Sequence, residues 1–436
     1  MPRTTAIHAG WIIPVEPHAR VLERHSLIIE GTEIAALVPT SAWQNTIGAE
    51  EIALPDHVLI PGLVNAHTHA AMALFRGLAD DQPLMAWLQN HIWPTEARVV
   101  GREFVREGTR LAAAEMLLGG TTCFNDMYFF GDEGAAAAIE TGIRAVIGMI
   151  VIDFPSAWAT TLEDYFRQGQ AIHDRYRGHP LISTAFAPHA PYSVNDQALA
   201  RCSTLAEEMD VPIHIHLHET AEEVRNAVAV GGVSPLQRLE SLGLLTPRLL
   251  AVHMTALNDD ELSLVARNGV NVVHCPESNL KLASGFCRVK GLMDAGANVA
   301  LGTDGAASNN DLDMLGELRT ASLLAKGVAQ DPCAVPAATA LRMATLNGAR
   351  ALMQEDRIGS LEVGKLADVV AISMDHLGSL PLFDPISQLV YATQRHQVTN
   401  VWVGGRRVVE AGQLTTLDVP GLKTAAHQWR ERIAQG

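Results

Sequence analysis

Two histidines one residue apart stand in Asn65-Ala66-His67-Thr68-His69, and three more alternate through Ile213-His214-Ile215-His216-Leu217-His218-Glu219. On an extended strand, side chains two apart point the same way, so His67 and His69 can offer two imidazoles to one metal ion. In the second segment one face is apolar and the other is imidazole, and burying three imidazoles is costly unless something binds them. Further histidines end the apolar runs ISTAFAPH, at His189, and LLAVH, at His253, while NVALGTD ends at Asp304. Three histidines and a strand-terminal carboxylate form a donor set that can hold a catalytic zinc ion with room for water. Such an ion lowers the pKa of water from about 15.7 towards about 7, which supplies a nucleophile at neutral pH. Each residue also has a plainer role. Asp304 suits the cap of a following helix, and His214 reads first as a hydrogen-bonded wall histidine. Alternation does not choose a ligand among the three histidines, although a place at a strand's C-terminal end favours His216 or His218.

The elements that position these residues follow from the spacing of apolar runs. Over about 57–358, eight segments of strand length alternate with longer helical stretches: VLIPGLVNAH, GTTCFNDMY, IRAVIGMIVID, ISTAFAPH, VPIHIHLHE, LLAVHM, VNVVHCPES and NVALGTD. Helical stretches such as EFVREGTRLAAAEMLLGG lie between them and end on glycine. That order predicts an α/β fold, a (β/α)8 TIM barrel, with the polar strand ends gathered at one mouth. A doubly wound dinucleotide-binding sheet is disfavoured because no GxGxxG follows an early strand. Residues 1–56 and 359–436 instead carry short extended runs with glycine turns, at Gly31 and at Gly404–Gly405. Neither piece can hold a core separately, so they are expected to join as one small composite β-sandwich domain.

Composition narrows the function classes. A formal charge of −16 repels nucleic acid and anionic membrane surfaces. The N-terminal stretch MPRTTAIHAGWIIPVEP lacks the apolar core of a secretory signal, and no apolar run is long enough to span a membrane. Five scattered cysteines argue against a disulfide scaffold or a cysteine zinc site, so a cytoplasmic location is expected. Partners are then small molecules, with assembly into a homo-oligomer left open. The first lysine in the chain is Lys281. Barrel hydrolases that hold two metals commonly bridge them with a carboxylated lysine between the HxH pair and the third histidine. No such lysine is available here, so one divalent ion per chain, Zn2+, is expected.

The segments PGLVNAHTH, HLHET at His216–Thr220, the strand end at His253, and GTDGAASNNDLDM resemble the amidohydrolase superfamily over essentially the whole chain. Within it they are similar to the branch of 5′-methylthioadenosine/S-adenosylhomocysteine deaminases and the related triazine hydrolases. The resemblance implies zinc ligands at His67, His69, His216 and Asp304. It implies a proton-transfer role for Glu219 and an orienting role for His253 and Asp304 towards the attacking water. His189 and Glu96 match positions that contact the nucleoside, alongside Glu219 and Asp304; a carboxylate at Glu96 can accept hydrogen bonds from both ribose hydroxyls. The implied reaction is hydrolytic deamination, with water added at C6 of the purine, a proton carried to N1 by Glu219, and ammonia expelled.

Relatives that take S-adenosylhomocysteine well use arginines after the third strand to hold the amino-acid carboxylate. Here Met149 stands where one such arginine aligns; Arg144 matches a different position, and the next arginine is Arg167. The expected substrate is therefore 5′-methylthioadenosine, with S-adenosylhomocysteine and adenosine behind it. The alternatives are a guanine, cytosine or triazine hydrolase of the same branch and, in another class, a barrel that has lost its metal and serves as a scaffold.

Overall fold

A computed structural model describes residues 3–44 and 47–435. Its centre is a sheet of eight parallel strands that neighbour one another in chain order. They are β1 (Leu63–Thr68), β2 (Thr121–Asp126), β3 (Arg144–Val151), β4 (Ile182–Pro188), β5 (Ile213–Leu217), β6 (Leu249–His253), β7 (Asn271–His274) and β8 (Val299–Leu301). The sheet closes where β8 meets β1. The Asp304 amide donates to His67 O at 3.0 Å, and the Thr303 amide donates to Asn65 Oδ1 at 3.0 Å. Gly302 permits that approach, since a Cβ there would stand 2.8 Å from the His67 nitrogen. The expected TIM barrel is thus the fold.

Helices follow the strands as the glycine signals predict. The helix Arg102–Leu118 stops at Gly119, and Gly120 turns the chain with φ of 86° into β2. Helix Leu162–Tyr176 is capped by Thr161, whose side chain accepts from the Asp164 amide. The stretch between β1 and β2 is unusual, because a short helix, a π turn at Leu88–Ile92 and the helix Trp93–Val99 precede Arg102–Leu118. Among the described residues no helix is long and apolar enough to cross a membrane.

A second, mixed sheet takes strands from both ends of the chain. Thr4–Ile12 lies between Leu22–Glu30 and Glu50–Pro61, and Glu50–Pro61 pairs in turn with Val369–Ser373. Period-two alternation gives this sheet two buried faces. Leu59, Val369, Ala371 and Trp402 enter one core, while Val58, Ile60, Val370 and Val401 pack into the core shared with the barrel.

The foot of the barrel is tied to this sheet by a buried ion pair. Arg144 donates through Nε and Nη2 to the two Asp368 oxygens, at 3.1 Å each, with both side chains only 2% exposed. Arg144 Nη1 also donates to Pro180 O at 2.6 Å, and the Gly404 amide donates to Asp368 Oδ1 at 2.7 Å. Burial opposes the guanidinium charge, but the Asp368 carboxylate more than offsets it and holds the Arg144 pKa above its usual value.

Candidate active site

At the C-terminal mouth of the barrel, β1 delivers His67 and His69, β5 delivers His216, and the turn after β8 delivers Asp304. One ligand atom from each of the four lies within 4.8 Å of every other. His216 Nε2 is 3.3 Å from Nε2 of both His67 and His69, and Asp304 Oδ1 is 3.2 and 3.3 Å from the same two nitrogens. The outer nitrogens explain this crowding. His69 Nδ1 faces Met127 O at 2.6 Å and His216 Nδ1 faces His189 O at 2.8 Å. A carbonyl only accepts, so both rings carry a proton on Nδ1 and turn Nε2 inward. His67 Nδ1 meets His214 Nε2 at 2.7 Å.

Converging lone pairs and a carboxylate repel one another unless a cation sits among them, so the donor set fits a divalent ion. The protonation tendencies agree. Burial pushes His67 down to about 4, and burial with the neighbouring rings pushes His216 well below its usual value. Only His69, which burial would also lower, is carried up to about 9 by its contact with Asp304. The site therefore draws positive charge to balance one carboxylate, which a metal ion supplies directly. Asp304 is itself braced, with Ser278 and Ser308 hydroxyls donating to Oδ2 at 2.7 Å each and the Gly305 amide donating to Oδ1 at 2.8 Å.

Next to this cluster stand Glu219 and His253, with His253 Nε2 4.0 Å from Glu219 Oε2. His253 Nδ1 lies 2.9 Å from Asn279 Oδ1. Burial raises the Glu219 pKa, which His253 partly offsets, so its carboxyl can exchange a proton at a less acidic pH than an exposed glutamate. The strand-end turns that aim these residues are strained: His253 and Asp304 have φ of 76° and 60°, in the left-handed region that non-glycine residues seldom occupy.

A cleft open to solvent runs outward from the cluster. Glu96 lines it from the helix Trp93–Val99, and Tyr128 OH donates to its Oε1 at 2.6 Å. His189 lines it from the end of β4, with Nδ1 2.9 Å from Ser193 Oγ, and burial lowers its pKa to about 3. Trp87, Ile92, Ile150, Ile152 and Phe154 make an apolar wall, and no lysine or arginine is among the lining residues.

Two side chains singled out in the sequence face away from the cleft. His218 turns away from the cleft: its Nδ1 meets Ala256 O at 2.7 Å and its Nε2 accepts from the Leu236 amide at 3.1 Å, which leaves His216 as the strand-five residue in the cluster. Met149 does not face the cleft either. Alternation along β3 sends it outward against Gly169 of the following helix, and Ile150 and Ile152 supply the inner face. Sequence reasoning missed Tyr128, Ser278, Asn279 and Ser308. The last carried a signal, because Ser308 is four residues after Asp304 and one helical turn returns it to the carboxylate.

The model of the amidohydrolase family matches residues 58–408. A curated 5-methylthioadenosine/S-adenosylhomocysteine deaminase from Teredinibacter turnerae is 50% identical, with 99% of each chain covered. One of the same description from Saccharophagus degradans is 49% identical over 99% of this chain and 97% of that one. A crystal structure of an adenosine deaminase from Xanthomonas campestris with bound zinc superposes with a TM-score of 0.98 at 54% identity, covering 100% of this chain and 99% of that one. A zinc-bound atrazine chlorohydrolase from Arthrobacter aurescens shares the fold, with a TM-score of 0.91 at 23% identity over 98% of this chain and 100% of that one.

Proposed function

We infer the reaction from one premise, that this chain belongs to the amidohydrolase family. It is a metal-dependent deaminase of adenine nucleosides, and we propose 5′-methylthioadenosine as the preferred substrate, converted to 5′-methylthioinosine and ammonia. The observation that carries this reading is the placing of a four-donor cluster and Glu219 at the floor of a cleft whose walls are Glu96 on one side and apolar side chains on another.

His67, His69, His216 and Asp304 would hold one divalent ion, Zn2+. When bound, the ion acts as a Lewis acid that makes water nucleophilic near neutral pH. Glu219 accepts the proton that the water gives up on attacking C6 and passes it to ring N1. His253, held at Nδ1 by Asn279, points Nε2 towards the same place and stabilises the oxygen that develops on C6. The proton of the new C6 hydroxyl is then passed through Glu219 to the amino group, and ammonia leaves as the C6–N bond breaks and C6 becomes a carbonyl. Glu96 binds the ribose hydroxyls while Tyr128 orients its second oxygen, and neutral His189 offers a hydrogen bond to the nucleoside. The apolar Ile150, Ile152 and Phe154 suit a methylthio group at the 5′ carbon better than a charged tail. The net charge of −16 disfavours a nucleic-acid substrate and fits a small molecule.

Ammonia release measured across adenine nucleosides, free adenine, guanine, cytosine and a chlorotriazine tests this reading. The nucleosides should react at least ten times faster in kcat/KM, a difference of about 1.4 kcal/mol. Preference for a free base or a triazine would overturn it.

A further inference from the structure

The first lysine of the chain, Lys281, lies outside the proposed chemistry. It ends the short helix Pro276–Lys281 and sends Nζ across the rim of the cleft. There it donates to Asp80 Oδ1 at 2.8 Å, to Ala307 O at 3.3 Å and to Asn310 Oδ1. Asn310 Nδ2 closes the loop by donating to Asp80 Oδ2 at 2.8 Å, and Arg76 Nη1 donates to Asn310 O at 2.5 Å. Lys281 and Asp80 side chains are 21% and 35% exposed, so water screens the pair only in part. The hydrogen bond from Lys281 also holds the Asp80 carboxyl below its ordinary range.

Three segments distant in sequence meet at this knot, and each continues directly into the wall of the cleft. Leu282 follows Lys281, Ser308 lies between Ala307 and Asn310, and Leu84, Trp87, Ile92 and Glu96 follow Asp80. The segment after Asp80 has little else to fix it at its entry. Asp81 takes φ of 61°, and the helix Leu84–Trp87 has no side-chain cap. We propose that Lys281 is a positioning residue for substrate binding. Through Asp80 and Asn310 it anchors the stretch Leu84–Val99 over the cleft and so places Glu96 for the sugar. The proposal rests on the nucleoside reading above. A branched cation could hold the same pair of acceptors, but an apolar side chain could not.

The test compares wild type with Lys281→Met, Lys281→Arg and Asp80→Asn, with Lys290→Met as a control that removes an exposed helical ion pair elsewhere. Steady-state rates are measured on the nucleoside that wild type deaminates best, and hydrogen–deuterium exchange is followed over Leu84–Val99. Lys281→Met and Asp80→Asn should raise KM about fivefold, the value of one networked ion pair, with kcat changed less than twofold. Exchange over Leu84–Val99 should rise in both variants while Arg102–Leu118 stays protected, and Lys281→Arg should restore most of the KM. Unchanged KM and exchange would overturn the proposal, as would a loss confined to kcat. If wild type deaminates no nucleoside, the functional reading fails, and the exchange data still decide whether Lys281 anchors this stretch.

Discussion

His67 Nδ1 lies 2.7 Å from His214 Nε2, which makes His67 the one imidazole of the cluster whose outer nitrogen rests on a side chain rather than a backbone carbonyl. A carbonyl is fixed by the strand that carries it. An imidazole can be removed by substitution, so this contact gives direct access to how the donor set is held. His214→Phe should keep the fold and weaken metal affinity by about 10–100-fold, as loss of an outer partner does. Competition with a chelating dye measures this, and an unchanged affinity would reduce His214 to a packing residue.

Glu219 is assigned the proton transfer, and burial raises its pKa. Glu219→Gln should lower kcat by about 10²–10⁴ while leaving the metal content unchanged. The sign of the pH dependence follows. The ionised form accepts the proton, so kcat/KM falls as pH drops through a pKa above the ordinary glutamate value of about 4.3. His189, already neutral above about 3, should add no second limb in the neutral range. Substitution at His189 that moved the acid limb would contradict the assignment.

Substrate choice follows from the wall formed by Ile150, Ile152 and Phe154, since no cation lines the cleft to meet a carboxylate. A charged group taken from water without a partner costs more than about 1.4 kcal/mol. The kcat/KM for 5′-methylthioadenosine should therefore exceed that for S-adenosylhomocysteine by at least about tenfold. Equal values would show that a cation reaches the tail from elsewhere.

Stability should depend on Arg144 and Asp368. Arg144→Met leaves a buried carboxylate without its partner and should cost about 3–5 kcal/mol in denaturant unfolding. Replacing both residues by apolar ones should recover much of that loss, because it removes the uncompensated charge.

The sequence made some of these relationships legible and hid others for physical reasons. The barrel could be read because each strand is an apolar run with a polar residue at its end, and burial on both faces imposes that pattern. His67 and His69 could be paired because the strand repeat is local. His216 could not be separated from His218 by alternation, which puts both on one face; the distinction arises from the left-handed turn at His218, with φ of 51°. Met149 was misleading for the opposite reason, since alignment gives a position along the strand and not its inward or outward face. Tyr128 meets Glu96, and Lys281 meets Asp80, only after the chain has closed around the barrel. Such partners lie 32 and 201 residues apart, beyond any local periodicity.

The cluster of His67, His69, His216 and Asp304 is proposed to serve deamination of an adenine nucleoside. That role is tested most directly by following the shift in absorbance from adenine to hypoxanthine with 5′-methylthioadenosine as substrate. The same preparation is assayed as purified, after chelation, and after return of one equivalent of Zn2+. Turnover is expected in the first, loss in the second and recovery in the third. Turnover that survives complete removal of metal, or no deamination of any adenine nucleoside by the zinc-loaded protein, would contradict it.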